Sequence, residues 1–437
     1  MFGLGINKLG ASVGRPVSPY AVLGFKPNLI LDFIRGYYNG VGNVTPAVTA
    51  SGTSNATMVD TDGLIKWRPH NLLSYSEDFS NAAWAKTNTT VTPNETISPD
   101  GTLTGDLLDD SSASFGSTTQ VTASLASSTY NFTVYIKSTG VASNVRLDLY
   151  TTVGEQFFVI FNSETGAYVS GSAVIYSTTP VGNGWHRVSL SATGSGTTST
   201  RVYPAGDSAG ATGSIYIWGA HLYRSDLGGM VNNPARGDSY VPTAATAVYL
   251  PRQGQHIYDG ASWVNKGLLH ESEARTNLVT YSEDFSNAYW SLASTTTITE
   301  DATQAPDGNV AGTYLEETAV TNNHLVRRNG SVSTTIGVAY TLSIFAKKAE
   351  RSWLSMGTGG ASGDRSWFNL DTGQLGTKGS NNSSYTIEDF KNGWYRCSVT
   401  TIATGSTLQP YIYINTVDNQ ATYTGVVGNG IYIWGAQ

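Results

Sequence analysis

The sequence predicts an all-β protein with two tandem jelly-roll β-sandwich modules that follow an extended N-terminal arm. Three observations support this prediction. A long pattern occurs twice along the 437 residues, apolar and polar residues alternate within short segments, and Gly- and Asn-rich turn dipeptides separate those segments. Because 437 residues are too many for one ordinary core, each copy of the pattern is expected to fold as its own unit.

The repeat is clearest at residues 71–84, which read NLLSYSEDFSNAAW and return as NLVTYSEDFSNAYW at residues 277–290. Shorter anchors follow in the same order in both copies. These pairs of anchors are 99–101 with 306–308, 132–137 with 342–347, 161–166 with 368–373, 183–187 with 392–396, and 215–220 with 431–436. Six anchors in one order predict two copies of the same fold.

Short alternating segments, such as 131–137 and 342–347, predict antiparallel strands inside each copy. Asn183-Gly184 and Asn392-Gly393 predict hairpin turns between such strands. The predicted organisation has four parts. They are an arm at 1–56, module one with its lead-in at 57–247, a connector at 248–276, and module two at 277–437.

Composition and charge exclude several classes of protein. Charged residues make up 13% of the chain and the net charge is −7, without a dense Lys/Arg cluster, so no nucleic-acid partner is expected. No apolar run is long enough to cross a bilayer, and the N-terminus lacks the pattern of a signal peptide. Cys397 is the single cysteine, which rules out a disulfide within the chain and predicts a small buried side chain.

The repeated anchors resemble a module of structural proteins from tailed bacteriophages, in which the modules are similar to carbohydrate-binding jelly rolls. The resemblance rests on the motif at 71–84 and 277–290, the N-G-W-x-R strand and the closing I-Y-I-W-G-A strand. Residues 267–278 are similar to the usual lead-in of such modules, and residues 236–243 resemble their usual exit. Copy two ends without that exit, so the resemblance implies a biological chain that runs beyond Gln437.

This resemblance implies a virion structural protein made in the host cytoplasm, in an exterior appendage such as a tail fibre, a baseplate-proximal fibre or a head fibre. It implies that the arm attaches to other virion proteins, that the modules contact host-surface glycan, and that the chain is a homo-oligomer such as a trimer. Three alternatives remain open: a cementing or connector protein without a ligand, a polysaccharide-degrading enzyme, and a carbohydrate-binding module of a secreted cellular enzyme.

The residues shared by both copies predict structure rather than catalysis, so no enzyme, cofactor or metal site is expected. Glycosidases need two facing carboxyl groups, whereas adjacent Glu and Asp residues of an extended chain point to opposite faces. The shared pairs Glu77/Glu283 and Asp78/Asp284 therefore predict side chains that bond to local backbone. Asp106, Asp109 and Asp110 are possible Ca²⁺ ligands, but a solvated loop is the preferred interpretation. The equivalent tryptophans are predicted to be core residues: Trp84/Trp290, Trp185/Trp394 and Trp218/Trp434.

A candidate binding surface comes from the positions at which the copies differ. Aligning 146–149 with 353–356 places Leu354 and Met356 on the inward face and Trp353 on the outward face. Aligning 158–161 with 365–368 places Arg365 and Trp367 on one face. Flat aromatic rings beside a cation are suited to sugar rings, so these three residues predict a glycan or partner surface. A contact with another subunit and ordinary packing remain the alternatives.

Overall fold

The computed structural model describes residues 29–32, 37–40, 56–112, 114–141, 143–151, 156–173, 175–206, 210–233, 236–269, 276–292 and 296–437. Most of the predicted arm, and residues 270–275 of the second lead-in, lie outside these described residues. By contacts the chain forms two units, Met1–Val48 and Thr49–Gln437. In the first unit, β1 (Leu29–Asp32) pairs antiparallel with β2 (Tyr37–Gly40).

Module one and its lead-in are formed from short and long strands, and almost all of the described secondary structure is β. The strands are β3 (Thr57–Val59), β4 (Ile65–Trp67), β5 (His70–Asn71), β6 (Ala85–Thr87), β7 (Thr90–Ile97), β8 (Leu103–Asp110), β9 (Ser117–Ser138), β10 (Asn144–Thr151), β11 (Gln156–Asn162), β12 (Tyr168–Gly171), β13 (Ile175–Gly182), β14 (Trp185–Tyr203) and β15 (Gly213–Arg224).

The connector and module two follow with shorter strands and one 3-10 helix, Ser362–Asp364. The strands are β16 (Val248–Tyr249), β17 (His256–Tyr258), β18 (Trp263–Asn265), β19 (Trp290–Leu292), β20 (Thr296–Gln304), β21 (Val310–Glu317), β22 (Thr321–Asn322), β23 (His324–Arg328), β24 (Val332–Ser333), β25 (Ala339–Lys348), β26 (Trp353–Gly357), β27 (Arg365–Asn369), β28 (Gln374–Leu375), β29 (Asn382–Asp389), β30 (Trp394–Ile402), β31 (Thr407–Leu408), β32 (Tyr411–Asn415), β33 (Tyr423–Thr424) and β34 (Gly430–Trp434).

Module two is a β-sandwich of two antiparallel six-stranded sheets. Sheet one has the order β20-β21-β34-β25-β30-β29, and sheet two has the order β19-β23-β32-β26-β27-β28. Their facing sides enclose the core, to which sheet one contributes Ile344 and Cys397 and sheet two contributes Met356 and Ile412. The predicted all-β sandwich class is therefore confirmed, as is the prediction that Cys397 is buried.

Module one has a single ten-stranded sheet with the order β12-β11-β10-β14-β9-β15-β8-β7, to which β13 and β6 also pair. The sheet is continuous because of its two long strands, β9 and β14. These strands pair with each other along most of their length, with register shifts at Gly194, Gly196 and Thr198 where the ribbon bends. In module two the equivalent strands are interrupted, so that β23 and β25 correspond to the two ends of β9. The interruptions at 329–338 and 403–410 contain Gly330, Gly337 and Pro410, residues that favour turns over continuous pairing.

The shared tryptophans are buried in both modules, as predicted. Trp84 and Trp290 lie in the two main cores. The other four form smaller clusters on the outer side of the central strands, with Tyr135 and Tyr240 in module one and Phe345 in module two. This second layer explains why the alternating strands β9 and β25 are buried on both faces.

The predicted hairpin turns are also present. Asn183 and Gly184 have φ values of 51° and 77°, and Asn392 and Gly393 have φ values of 53° and 79°. Two consecutive positive φ angles define a type I′ turn, whose twist matches that of the strands it joins. In both modules the turn is followed by the strand that begins with Trp185 or Trp394.

The lead-in and the connector pack together against module two. The Trp263 ring of the connector contacts Gly63 of the lead-in and lies 5.1 Å from the Phe390 ring, centroid to centroid. Asn309 Nδ2 of module two donates to the carbonyl of Leu227 at 2.9 Å. A cleft of about 220 Å³ lies at this junction, between the lead-in, Trp263 and Trp394.

Candidate functional site

The outer face of sheet two is the candidate site, and β26 supplies its first side chains. Along β26, Leu354 and Met356 point into the core. Trp353 and Ser355 therefore lie on the opposite face, because successive side chains alternate across a strand. The predicted inward and outward sets of this strand are thus confirmed.

The neighbouring strands add aromatic and polar residues to the same face. Ser355 pairs directly with Trp367 of β27 and with Tyr413 of β32, so these side chains share its face. Arg365 lies two residues before Trp367 and also lies on this face, so the structure brings the three predicted site residues together. We call the whole set the aromatic face; it consists of Trp353, Ser355, Arg365, Trp367, Tyr411, Tyr413 and Asn415.

The strand-by-strand alignment with module one differs from the predicted one by two residues. Arg146 pairs with Ile160 and Tyr203, whereas Ser355 pairs with Trp367 and Tyr413. Ser355 is therefore the counterpart of Arg146, and Trp353 is the counterpart of Asn144 rather than of Arg146. Because the difference is an even number of residues, the predicted faces are unchanged.

Most of the aromatic face is covered instead of being an open platform. Arg365 is 5% exposed, Trp367 is 3% exposed and Tyr413 is 1% exposed. Trp353 and Tyr411 keep partial exposure and form the accessible part of the face. The loop after β28 covers one side, where a Cβ on Gly376 would lie 2.7 Å from the Trp353 ring, and Asp418 holds this loop by accepting from Thr377 N at 2.8 Å.

Arg365 is held by a ring and by neutral oxygens. Its Cζ lies 3.8 Å from the centroid of the Tyr413 ring, a close cation–π contact. Its Nη1 donates to Asn323 Oδ1 at 3.2 Å, and its Nη2 lies 3.5 Å from the Gly360 carbonyl oxygen, which is long for a hydrogen bond. Within the described part of the chain, no carboxylate pairs with Arg365. Burial also raises the pKa of the Tyr413 hydroxyl to about 12.

Four buried polar atoms of the aromatic face make no hydrogen bond within the described residues. They are Ser355 Oγ, Arg365 Nε, Trp367 Nε1 and Asn415 Oδ1. A buried donor or acceptor without a partner costs about 1–3 kcal/mol. Two of these atoms are donors only and one is an acceptor only, so the face can form hydrogen bonds of both kinds with a bound molecule.

Module one closes the equivalent face with its own side chains. Arg146 Nε donates to Asp148 Oδ1 at 2.6 Å, and Gln156 Nε2 donates to the other carboxylate oxygen at 2.6 Å. Asp148 is 0% exposed, and the Arg146 guanidinium stacks on the Phe158 ring at 4.1 Å. The counterpart of Asp148 in module two is Gly357, which has no side chain. Within the described residues, Arg146 therefore has an acidic partner and Arg365 does not.

Sequence reasoning did not include Tyr411, Tyr413 and Asn415. Residues 411–415 read YIYIN, so the strand and its alternation were recognisable. That β32 lies beside β26 could not be recognised, because strand order within a sheet is not encoded locally.

The shared carboxylates have structural partners. Asp78 and Asp284 accept from the backbone N–H of Asn81 and Asn287, as predicted for local turns. Glu77 differs from the prediction, since it accepts from the hydroxyl of Tyr240 at 3.1 Å, far along the chain. Its copy-two equivalent is partly buried near Asp307 and Asp226, and burial together with these like charges raises the pKa of Glu283 to about 7.

The aspartates considered as calcium ligands lie in β8, so the prediction of a solvated loop is wrong. Asp106 and Asp110 are each 2% exposed. Asp106 accepts from Phe79 N at 2.8 Å and from Asn94 N at 3.0 Å, and burial raises its pKa to about 6. The described residues contain no group of three or more His, Cys, Asp or Glu side chains arranged to hold a metal ion. Nor do they contain a helix long and apolar enough to cross a membrane.

Comparison with known proteins gives weak fold likenesses. No family model and no curated protein matches the chain. Among solved structures, it is similar to the CBM22-1–CBM22-2 tandem domain of Paenibacillus barcinonensis Xyn10C, at 12% identity and a TM-score of 0.29 over 89% of this chain and 98% of that chain. It is also similar to the enzymatically active domain of bacteriophage CBA120 tailspike protein 4, at 16% identity and a TM-score of 0.25 over 35% of this chain and 21% of that chain. TmCBM61, solved with β-1,4-galactotriose, gives 11% identity and a TM-score of 0.22 over 35% of this chain and 98% of that chain. At such TM-scores these likenesses carry no argument about function.

Proposed function

We propose that the protein binds glycans through the aromatic face of module two, as a non-enzymatic structural protein on the exterior of a bacteriophage virion. The observation that carries the glycan proposal is the aromatic face itself. It combines partly exposed Trp353 and Tyr411 rings with buried hydrogen-bonding atoms that are unpaired within the described residues. Ligand sites typically combine apolar and aromatic walls with a few such polar atoms.

Sugar rings fit this combination for a physical reason. Their axial C–H groups form apolar patches that pack on flat aromatic rings, while their hydroxyl groups donate and accept hydrogen bonds. The aromatic face offers both, with unpaired donors on Arg365 and Trp367 and an unpaired acceptor on Asn415. On the equivalent face of module one, Arg146, Asp148 and Gln156 bond to one another, and Arg201 Nε is a buried donor without a partner in the described residues.

The virion part of the proposal is supported by the sequence resemblance of the repeated motif to modules of tailed-phage structural proteins. In this role the N-terminal arm attaches to other virion proteins, the assembled chain is a homo-oligomer such as a trimer, and module two faces the host surface. A non-enzymatic role is supported by the shared carboxylates. Asp78 caps its own turn and Glu77 bonds to Tyr240, so the pair is engaged in holding the fold.

A purely architectural role is the second candidate, and one observation favours it. Trp367 and Tyr413 are almost completely buried, as they would be if the face were part of the packing. Under this alternative the protein cements or connects virion parts and binds no glycan.

A glycan array tests the binding proposal. We expect the wild-type protein to bind at least one glycan in a saturable way, and we expect Trp353→Ala to lose at least tenfold in affinity, since it removes the accessible ring. The matched control is Asn144→Ala, which changes the structurally equivalent position of module one and should bind as the wild type does. An array without any bound glycan would favour the architectural alternative.

Immunogold electron microscopy tests the virion proposal separately. Antibodies raised against the purified protein should label the outside of phage particles produced from the genome that encodes it. Purified particles without label, and without peptides of this protein by mass spectrometry, would contradict the virion role and leave the glycan proposal unaffected.

A further inference from the structure

A buried arginine without an acidic partner defines the chemistry of the aromatic face. Arg365 is 5% exposed, and within the described residues its guanidinium contacts a tyrosine ring and two neutral oxygen atoms. Taking a cation out of water is costly unless a charge or several good hydrogen bonds replace the lost hydration. Of the two oxygens, the Gly360 carbonyl is 3.5 Å away, and Nε has no partner in the described structure.

The two modules differ in how they surround an arginine on the outer face. Both place an arginine against an aromatic ring on the outer face, Arg146 on Phe158 and Arg365 on Tyr413. Module one completes the arrangement with the carboxylate of Asp148, which is itself fully buried. Module two has Gly357 at that position. The fold therefore accommodates an arginine–carboxylate pair on this face, and module two lacks the carboxylate half.

The nearest acidic side chain along the chain is engaged elsewhere. Asp364 directly precedes Arg365, but its carboxylate accepts from Ala361 N at 3.1 Å and from Asn381 Nδ2 at 2.8 Å. Glu317, another buried carboxylate of module two, pairs with Arg351 and accepts from the Tyr423 hydroxyl at 2.6 Å. Neither is free to neutralise Arg365.

We infer that the aromatic face takes an acidic sugar, a uronic or sialic acid unit, whose carboxylate pairs with Arg365. This inference rests on the proposed glycan-binding function and specifies its ligand class. A carboxylate brings two acceptor oxygens, which suit the unpaired donors Arg365 Nε and Trp367 Nε1. Neighbouring sugar rings of the same glycan then pack on Trp353 and Tyr411, which are the accessible rings.

Gly360 and Asn323 border the Arg365 guanidinium on its solvent side. Gly360 is exposed and Asn323 is partly exposed, and each contacts the Arg365 guanidinium directly. The exposed Arg327 guanidinium lies at the same edge, 5.8 Å from the Tyr411 ring centroid. Two cations at this edge favour an anionic ligand over a neutral one.

The test compares acidic glycans with their carboxyl-reduced forms. The full chain is titrated against uronate- and sialate-containing glycans and, in parallel, against the same glycans after reduction of each carboxyl group to an alcohol. We expect the acidic form of at least one glycan to bind at least tenfold more tightly than its reduced form. Arg365→Gln should remove that difference, whereas Trp353→Ala should weaken both forms.

A second variant guards against misfolding of Arg365→Gln. Ser355→Asp places a carboxylate on the same face, diagonally across from Arg365, and so imitates the internal pair of module one. It keeps the arginine and should lose affinity for the acidic form by at least tenfold, with its melting temperature unchanged or raised. Circular dichroism and thermal melts check the fold of each variant.

The outcomes separate this inference from the proposed function. Equal affinity for acidic and reduced forms, or binding to neutral glycans alone, would overturn the acidic ligand class and leave glycan binding in place. Tight acidic binding that survives in a folded Arg365→Gln variant would overturn the assignment to Arg365. Binding to no member of the set would overturn both proposals.

Discussion

At the scale of the residue, the two modules differ in one buried carboxylate on the outer face. Asp148 is completely buried and holds Arg146, whereas its counterpart Gly357 has no side chain and no carboxylate of the described residues pairs with Arg365. One side chain thus decides whether the arginine on the outer face has an acidic partner within the described residues. The sequence reveals this difference only in part. The simplest alignment of β10 with β26 is wrong by two residues, so it does not match Asp148 with Gly357.

Removal of the Asp148 carboxylate should destabilise module one strongly. Asp148→Ala removes the fully buried carboxylate that holds the partly buried Arg146, so we expect the free energy of unfolding to fall by about 3–5 kcal/mol. The control is Asp371→Ala, which breaks the exposed pair with Lys348 and should cost less than about 1 kcal/mol. Urea denaturation followed by tryptophan fluorescence measures both, and equal costs would contradict this account of the buried pair.

The stability of module two should fall as the pH rises, because of Glu283. Its pKa is raised to about 7 from an ordinary value of 4.5, so the folded state binds the proton more tightly than the unfolded state. This contribution to stability is complete below pH 4.5 and is lost as the pH rises through 7. Relative to Glu283→Gln, the wild type should lose about 3 kcal/mol between pH 4.5 and pH 8.5. Parallel pH dependence of the two proteins, measured by urea denaturation, would contradict the shift.

At the scale of the element, local sequence patterns predicted the strands and turns of each module. Alternation predicted the strands at 131–137 and 342–347, and the Asn-Gly dipeptides predicted their turns. It also predicted which side of β26 carries Trp353. The two-residue offset was not predictable, because the connection at 358–364 differs in length from its counterpart in module one.

Substitutions at the two type I′ turns should have equal costs. Gly184→Ala and Gly393→Ala force alanine into φ values of 77° and 79°, while the added Cβ would contact only the Lys137 or Lys347 side chain at ordinary distances. We expect the free energy of unfolding of each module to fall by about 1–2 kcal/mol from backbone strain alone. Gly405→Ala is the control, since it has open space around it and no left-handed φ, and should be neutral. Thermal melts that show no loss at either turn would contradict the turn assignment.

At the scale of the whole molecule, the repeat predicted two like folds but did not predict how they are joined. The lead-in at 57–67 precedes module one in sequence, yet Ile65 N lies 3.3 Å from the carbonyl oxygen of Pro306 in module two. Trp263 of the connector packs on both Gly63 and Phe390. These contacts join distant segments of one chain, and no local pattern encodes them.

Loss of the Trp263 ring should loosen this junction without affecting the cores. For Trp263→Ala we expect faster hydrogen–deuterium exchange at residues 62–66 and 304–309, because both segments pack at the cleft that Trp263 lines. Exchange in β9 and β14 should be unchanged. Uniform acceleration across module one, or no change at the junction, would contradict the junction described above.

The central claim is that the aromatic face of module two, and not its counterpart in module one, binds glycan. The most direct measurement is a titration of the strongest array glycan into Trp353→Ala and into Asn144→Ala, which change equivalent positions of the two modules. Our account predicts at least a tenfold loss of affinity in Trp353→Ala and wild-type affinity in Asn144→Ala. Wild-type affinity in both variants, or an equal loss in both, would contradict it.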